Sequence, residues 1–113
     1  IELKESRPNE TTYYFRLQVG DKPLSQVIID LPKGIEIQKW IDVVDANNRP
    51  VGSTYDRNGQ QVLITFAKPI AIATKLNFYI HGMKARDNLN LPILVKLEGN
   101  PKNYPIGTVS IKT

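Results

Sequence analysis

Short stretches of alternating apolar and polar residues, separated by turn residues, fill this chain. The clearest alternation covers residues 11–19, in which Tyr13, Phe15, Leu17 and Val19 share one face. A repeat of two residues predicts a β-strand with one buried and one exposed face. The same signal predicts further strands at residues 24–31, 51–55, 60–67, 75–80, 91–98 and 104–112.

Turn residues separate the predicted strands. Asp56 to Gly59 is predicted to form a tight hairpin turn, because glycine tolerates the positive φ that such a turn requires. Lys68-Pro69 is expected to end the strand before it, since proline donates no hydrogen bond to a sheet. The longest polar connection is predicted at residues 81–90.

The apolar phases of these strands predict a common core. Its expected members are Phe15, Leu17, Val27, Ile29, Ile64, Phe66, Phe78, Ile80 and Val95. Ile28 falls in the opposite phase, with Gln26 and Asp30, and is expected outside that core. Strands that recur roughly every 8–12 residues, without an amphipathic helix, predict an all-β fold. We expect one domain over residues 1–113, a single antiparallel β-sandwich with Ig-like, Greek-key character.

Residues 35–44 fit two patterns. A strand places Ile35, Ile37, Ile41 and Val43 on one face, whereas helical spacing groups Ile37, Trp40, Ile41 and Val44. The density of β-branched residues favours the strand.

On that strand, Trp40 lies with Glu36, Gln38 and Asp42, opposite the apolar face. An exposed Trp40 would be an anchor for a sugar or a protein. The alternative is that it lies under a loop or covers a sheet edge, because large aromatic side chains are mostly buried.

The chain has few residues of the types that catalytic sites use, and they lie in no catalytic motif. It has no cysteine, its one histidine is His81, and Ser25, Ser53 and Ser110 lie in no nucleophile motif. We therefore expect no enzyme activity, no catalytic residue and no cofactor.

A metal site is weighed against turn formation for one group of oxygen-bearing side chains. These are Asp42, Asp45, Asn47, Asn48 and Asp56. Their spacing does not match a calcium-binding EF-hand loop. Asp and Asn also stabilise turns through their own backbone hydrogen bonds, so turn formation is favoured and no metal site is predicted.

The net charge of +4 arises entirely after residue 40, where the sequence has nine basic and five acidic residues. These basic residues occur singly, so nucleic-acid binding is not predicted. His81, Lys84 and Arg86 lie close together in the 81–90 connection, and we expect them, with Trp40, to be binding residues for a possibly acidic partner. The alternative is that residues 81–90 are a solvated connector.

The longest uncharged apolar run, residues 69–74, is too short to cross a bilayer, so no transmembrane segment is predicted.

Three segments carry a resemblance to a known family. They are Thr12-Tyr-Tyr-Phe15, the strand that ends in Asp-Leu-Pro32, and Tyr104-Pro-Ile-Gly-Thr-Val-Ser-Ile111. In these segments the chain resembles a family of small secreted cyanobacterial proteins catalogued as a domain of unknown function (number 2808). The resemblance implies an extracytoplasmic location: the periplasm, the thylakoid lumen or the cell surface. It transfers no catalytic or binding residue.

A second likeness concerns residues 44–51, Val-Asp-Ala-Asn-Asn-Arg-Pro-Val, which are similar to a turn of bacterial Ig-like surface domains. Both resemblances imply a secreted sandwich. The expected function is a non-enzymatic binding module that contacts a protein or a cell-envelope component. The alternatives are a sandwich that binds a carbohydrate or small ligand, and a hydrolase that uses His81 beside a Ser or a carboxylate in a cleft.

Overall fold

The computed structural model describes residues 2–5, 12–35, 37, 40–83 and 89–111, with side chains for 13–35, 37, 40–83 and 89–110. In this part of the chain every regular element is a strand. The strands are β1 (Glu2–Glu5), β2 (Thr12–Gln18), β3 (Leu24–Asp30), β4 (Ile41–Asp45), β5 (Ser53–Asn58), β6 (Gln61–Ile70), β7 (Lys75–His81), β8 (Leu89–Leu97) and β9 (Asn103–Ile111).

The strands form two antiparallel sheets. One sheet has the order β1-β2-β7-β4 and the other has the order β5-β6-β3-β8-β9. Consecutive strands pass repeatedly from one sheet to the other, as in a Greek key. The neighbouring pairs β2–β7 and β3–β8 correspond to strands B–E and C–F of the immunoglobulin fold. The expectation of an all-β antiparallel sandwich with Ig-like character is confirmed.

One hairpin departs from the immunoglobulin order. β5 and β6 extend the second sheet beside β3, at the positions that strands C″ and C′ occupy in variable-type domains. Here they follow β4 in the chain instead of preceding it. β4 therefore reaches its place beside β7 before the hairpin is made.

The core lies between the two sheets, and all nine expected members are buried in it. Phe15 and Phe78 are opposite each other on β2 and β7, and their rings stack with centroids 4.7 Å apart. Stacked aromatic rings add stabilisation beyond the area that they bury. The apolar phase of the strands thus predicted the core correctly.

Residues 35–44 contain a strand that starts later than expected. Ile41–Asp45 forms β4, and Ile37 makes an isolated antiparallel bridge with Met83. Val43 and Ile37 are buried, whereas Trp40 is exposed, so the helical grouping of Trp40 with Ile37 is wrong. The backbone of β4 pairs with β7 instead, which satisfies its hydrogen bonds.

Three other features of the strands differ from the expectation. The sequence analysis predicts no strand at Glu2–Glu5, where β1 lies. Asp56 and Arg57 belong to β5, and the hairpin turn is formed by Gly59 and Gln60, with φ 62° at Gly59. β6 continues through Lys68-Pro69 to Ile70. Its pairing with β3 is interrupted between Thr65 and Ile70, which lets proline lie within the strand without breaking a ladder bond.

Ile28 was expected outside the core and is fully buried on the outer face of the second sheet. It lies in the middle strand of that sheet, directly between Leu63 of β6 and Leu94 of β8. The two leucine side chains flank it and remove it from water. Alternation gave its face correctly, but the cross-strand neighbours decided its burial.

Replacing Phe78 by Ala is expected to lower the free energy of unfolding by about 3–5 kcal/mol, because it leaves a cavity beside Phe15. Denaturant unfolding measures the loss. Tyr55→Ala is the control, since Tyr55 is 37% exposed on an edge strand, and should cost about 1 kcal/mol or less. Equal losses for the two variants would contradict this placement of the core.

Ile28→Ala is expected to cost about 2–3 kcal/mol, the lower part of the range for a buried isoleucine, because Leu63 and Leu94 can partly close the gap. Ile72→Ala is the same change at a side chain that is 55% exposed, and should cost less than about 0.5 kcal/mol. Chemical denaturation of both variants makes the comparison. A loss at Ile28 no larger than that at Ile72 would mean that the outer face leaves Ile28 in water.

Candidate functional site

The outer face of the four-stranded sheet carries aromatic and polar side chains next to one another. Alternation along β2, β7 and β4 directs them away from the core. We call the following residues the aromatic strip: Tyr14, Arg16, Trp40, Asp42, Asn77, Tyr79 and His81.

Trp40, Asp42 and His81 form one end of the strip. The Trp40 indole Nε1–H donates a hydrogen bond of 3.1 Å to Asp42 Oδ2. The same carboxylate oxygen lies 2.9 Å from His81 Nε2. The rings of Trp40 and His81 are in contact, with centroids 5.2 Å apart and planes tilted by 41°. Trp40 is thus 54% exposed and is contacted by Asp42 and His81.

The backbone brings these residues together. His81 N–H donates a hydrogen bond of 2.9 Å to the carbonyl oxygen of Trp40, which extends the β4–β7 ladder by one step. Asp42 lies opposite Tyr79 in the same ladder. The cluster depends on the register of two strands that are far apart in the sequence.

The rest of the strip is a second hydrogen-bonded group. Tyr14 and Tyr79 are opposite each other on β2 and β7, with ring centroids 5.1 Å apart. The buried Asn77 Oδ1 accepts hydrogen bonds from Tyr14 OH, at 3.0 Å, and from Arg16 Nε, at 2.9 Å. A buried amide oxygen is stable only when it is hydrogen-bonded, so this group also has a defined geometry.

The structure brings together two of the four predicted binding residues, Trp40 and His81. Trp40 does not lie under a loop, because more than half of its surface is exposed, and it directly precedes β4, an edge strand of its sheet. Lys84 and Arg86 lie outside the described residues, and their role stays a prediction.

Asp42 and Tyr79 were not predicted as site residues. The sequence singled out Asp42 as a possible calcium ligand. The strand periodicity already placed Asp42 on the face of Trp40. No sequence signal could have placed Trp40 and Asp42 beside His81, since that requires the pairing of β4 with β7.

The oxygen-bearing residues considered for calcium are spread over different parts of the fold. Asp42 belongs to the strip, and Asp56 lies on β5 in the other sheet. Asp45 Oδ1 accepts hydrogen bonds from the backbone N–H groups of Asn47, at 2.8 Å, and Arg49, at 3.0 Å. Asp45 therefore stabilises the turn after β4, as the sequence indicated. Within the described ranges, no three His, Cys, Asp or Glu side chains are grouped as metal ligands would be.

The hydrolase alternative requires His81 beside a Ser or a carboxylate in a cleft. Ser25 and Ser53 lie on β3 and β5, and Ser110 on β9, all in the other sheet. Ser25 Oγ donates to the Lys96 carbonyl, and Ser110 Oγ donates to Asn90 Oδ1. In the His81–Asp42 pair, the Asp42 side chain is 54% exposed and the His81 side chain is 24% exposed. The described serines therefore lie on the sheet opposite the one that carries His81.

A separate open groove of about 440 Å³ lies at the other end of the sandwich. Val51, Ala67, Pro69, Ile70 and Leu76 supply most of its apolar lining. Leu76 is at the opposite end of β7 from His81. The groove and the aromatic strip are therefore distinct features.

Comparisons with known proteins bear on the fold alone. No family model matches the chain, and no curated protein matches it. Among solved structures, it is similar to a DUF4466 family protein from Parabacteroides merdae, with a TM-score of 0.52 and 12% identity over 97% of this chain. The chain spans 43% of the length of that protein.

This neighbour supports the sandwich architecture. Its family differs from the secreted family that the sequence resembles, so that resemblance stays a hypothesis. Among the described residues, no helix is long and apolar enough to span a membrane.

Replacing Asp42 by Ala removes the acceptor that holds the Trp40 indole, so we expect the indole to move more freely. Trp40 is the one tryptophan of the chain, and the anisotropy of its fluorescence reports this motion directly. The anisotropy should fall, with a stability change of about 1 kcal/mol or less for an exposed hydrogen bond. Asp56→Ala, on the other sheet, should leave it unchanged. An unaltered anisotropy in Asp42→Ala would show that other contacts orient the indole.

Proposed function

We propose that this chain is a non-enzymatic binding module that acts outside the cytoplasm. Its partner is a protein or a component of the cell envelope, and it is held on the aromatic strip. The observation that carries the proposal is Trp40: its side chain is 54% exposed, yet its orientation is set by Asp42 and His81.

Pre-ordering of an exposed aromatic side chain favours binding. A flexible side chain loses rotamer freedom when a partner immobilises it, at a cost of about 0.5–1.5 kcal/mol. In the free protein Trp40 is already hydrogen-bonded to Asp42 and in ring contact with His81, which reduces the freedom left to lose. Tryptophan is also among the residues that contribute most to binding energy at interfaces. An exposed, pre-ordered tryptophan therefore favours a recognition role.

The rigid scaffold supports the same function. β7 lies between β2 and β4, and its buried residues Leu76, Phe78 and Ile80 alternate with the strip residues Asn77, Tyr79 and His81. The strip is thus mounted on a strand that the core holds from behind. Sites on such strands keep their geometry better than sites on loops.

The location outside the cytoplasm rests on the resemblance to secreted proteins and on the turn at residues 44–51. The absence of cysteine is compatible with it, because the chain then forms no unwanted disulfides in an oxidising compartment. The hydrolase alternative is less favoured, since the described serines lie on the opposite sheet.

Trp40→Ala is expected to reduce capture of the natural partner at least tenfold, because it removes the exposed side chain and little else. Immobilised wild-type and variant domains are incubated with envelope extract from the source organism, and retained protein and sugar are quantified. Ile72→Ala is the matched control: Ile72 is equally exposed, at 55%, but lies beyond the far end of β7. It should capture as much as wild type. Equal capture by Trp40→Ala would refute a role for the strip.

A further inference from the structure

The chemistry of the aromatic strip indicates which of the two partner classes it fits. We propose that the strip binds a neutral polysaccharide, with one pyranose ring stacked on Trp40 and its hydroxyl groups bonded to Asp42. This inference rests on the proposed binding function and names the ligand of the same site.

The indole of Trp40 supplies the stacking surface. An aromatic face is negatively polarised, and the C–H groups on one face of a pyranose are weakly positive, so the two surfaces attract each other. The contact also buries apolar area on both partners. A sugar ring needs a flat, accessible platform, and Trp40 is 54% exposed.

Asp42 supplies hydrogen-bond acceptors beside that platform. A carboxylate offers about four acceptor positions on its two oxygens. The described contacts use Oδ2 twice, for Trp40 and His81. The Asp42 side chain is 54% exposed, so acceptor capacity remains within reach of a ligand hydroxyl. The same residue thus orients the stacking ring and can bind the sugar on it.

The strip continues away from Trp40 for the length of more than one sugar ring. Asp42 and Tyr79 form the next row, and Asn77 and Arg16 form the row after it. Rows two residues apart along a strand are separated by about 7 Å, so the strip extends for about 14 Å. Phenol and guanidinium groups along it can bond hydroxyl groups, which favours a chain of sugars over a monosaccharide.

A protein partner fits this face less well. The core of a protein interface is enriched in Trp, Tyr and Arg, but it is otherwise apolar and poor in charged residues such as Asp. Among the described outer-face positions of β7 and β4, the one aliphatic residue is Val44, and the neighbours of Trp40 are Asp42 and His81. An exposed aromatic ring with planar polar groups beside it, such as Trp40 with Asp42 and His81, suits a ligand that has C–H groups on one face and hydroxyl groups at its edge.

The test uses Trp40 as its own reporter. The purified domain is titrated with cellohexaose, maltohexaose, mannohexaose and chitohexaose, at concentrations up to about 10 mM, where even millimolar sites saturate. At least one sugar should cause a saturable change in tryptophan fluorescence. Raising the salt concentration should not weaken it, because a neutral ligand has no charge to screen.

Variants then locate the binding, measured by calorimetry. Trp40→Ala should abolish it, and Trp40→Phe should retain part of it. Asp42→Ala should weaken it roughly tenfold or more, the loss for a hydrogen bond to a charged group. Ile72→Ala should bind like wild type. Thermal unfolding checks that each variant is folded.

Three results would overturn the inference. One is no saturable binding of any of the four sugars. The second is sugar binding that Trp40→Ala retains. The third is a preference for an arginine-rich peptide, lost at high salt, which would identify a cationic protein segment as the ligand. In the first and third cases, Trp40-dependent capture from envelope extract would leave the proposed binding function standing. Loss of that dependence would refute both.

Discussion

The pairing of β7 with β2 and β4 is the constraint on which the rest of the structure depends. One face of β7 carries Leu76, Phe78 and Ile80 into the core, where Phe78 stacks on Phe15. The other face carries Asn77, Tyr79 and His81 into the aromatic strip. A shift of one residue in this register would exchange the two faces, so the packing that stabilises the sandwich also fixes the site.

The strip is built from contacts that are weak one by one. An exposed hydrogen bond, a tilted ring contact or an exposed His–Asp pair each adds little to stability. Their effect on Trp40 is orientation, because Asp42 and His81 restrict its indole from two sides. The stability of the fold comes from the packed core. The strands that the core holds rigid keep the side chains of the strip in place for a ligand, and the proposed sugar-binding role depends on this.

In the second sheet, neighbouring strands decide two features that alternation within one strand does not predict. Ile28 follows the outer phase of β3, yet Leu63 and Leu94 on the neighbouring strands cover it. Pro69 reads as a strand end, yet β6 continues past it, because the pairing with β3 is already interrupted there. In both cases a neighbouring strand decides the outcome. Alternation within a strand carries no information about that neighbour.

Local patterns in the sequence determined the strands other than β1, their inward residues and the turn chemistry of Asp45 and Gly59. These features depend on side-chain alternation and on backbone preferences within a few residues. The sequence also placed Trp40 and Asp42 on one strand face. Only the tertiary structure put His81 and Tyr79 beside them, since residues 46–74 separate β4 from β7 in the sequence. Strand order and register arise from burying the apolar faces of all strands together, and that is a property of the whole chain.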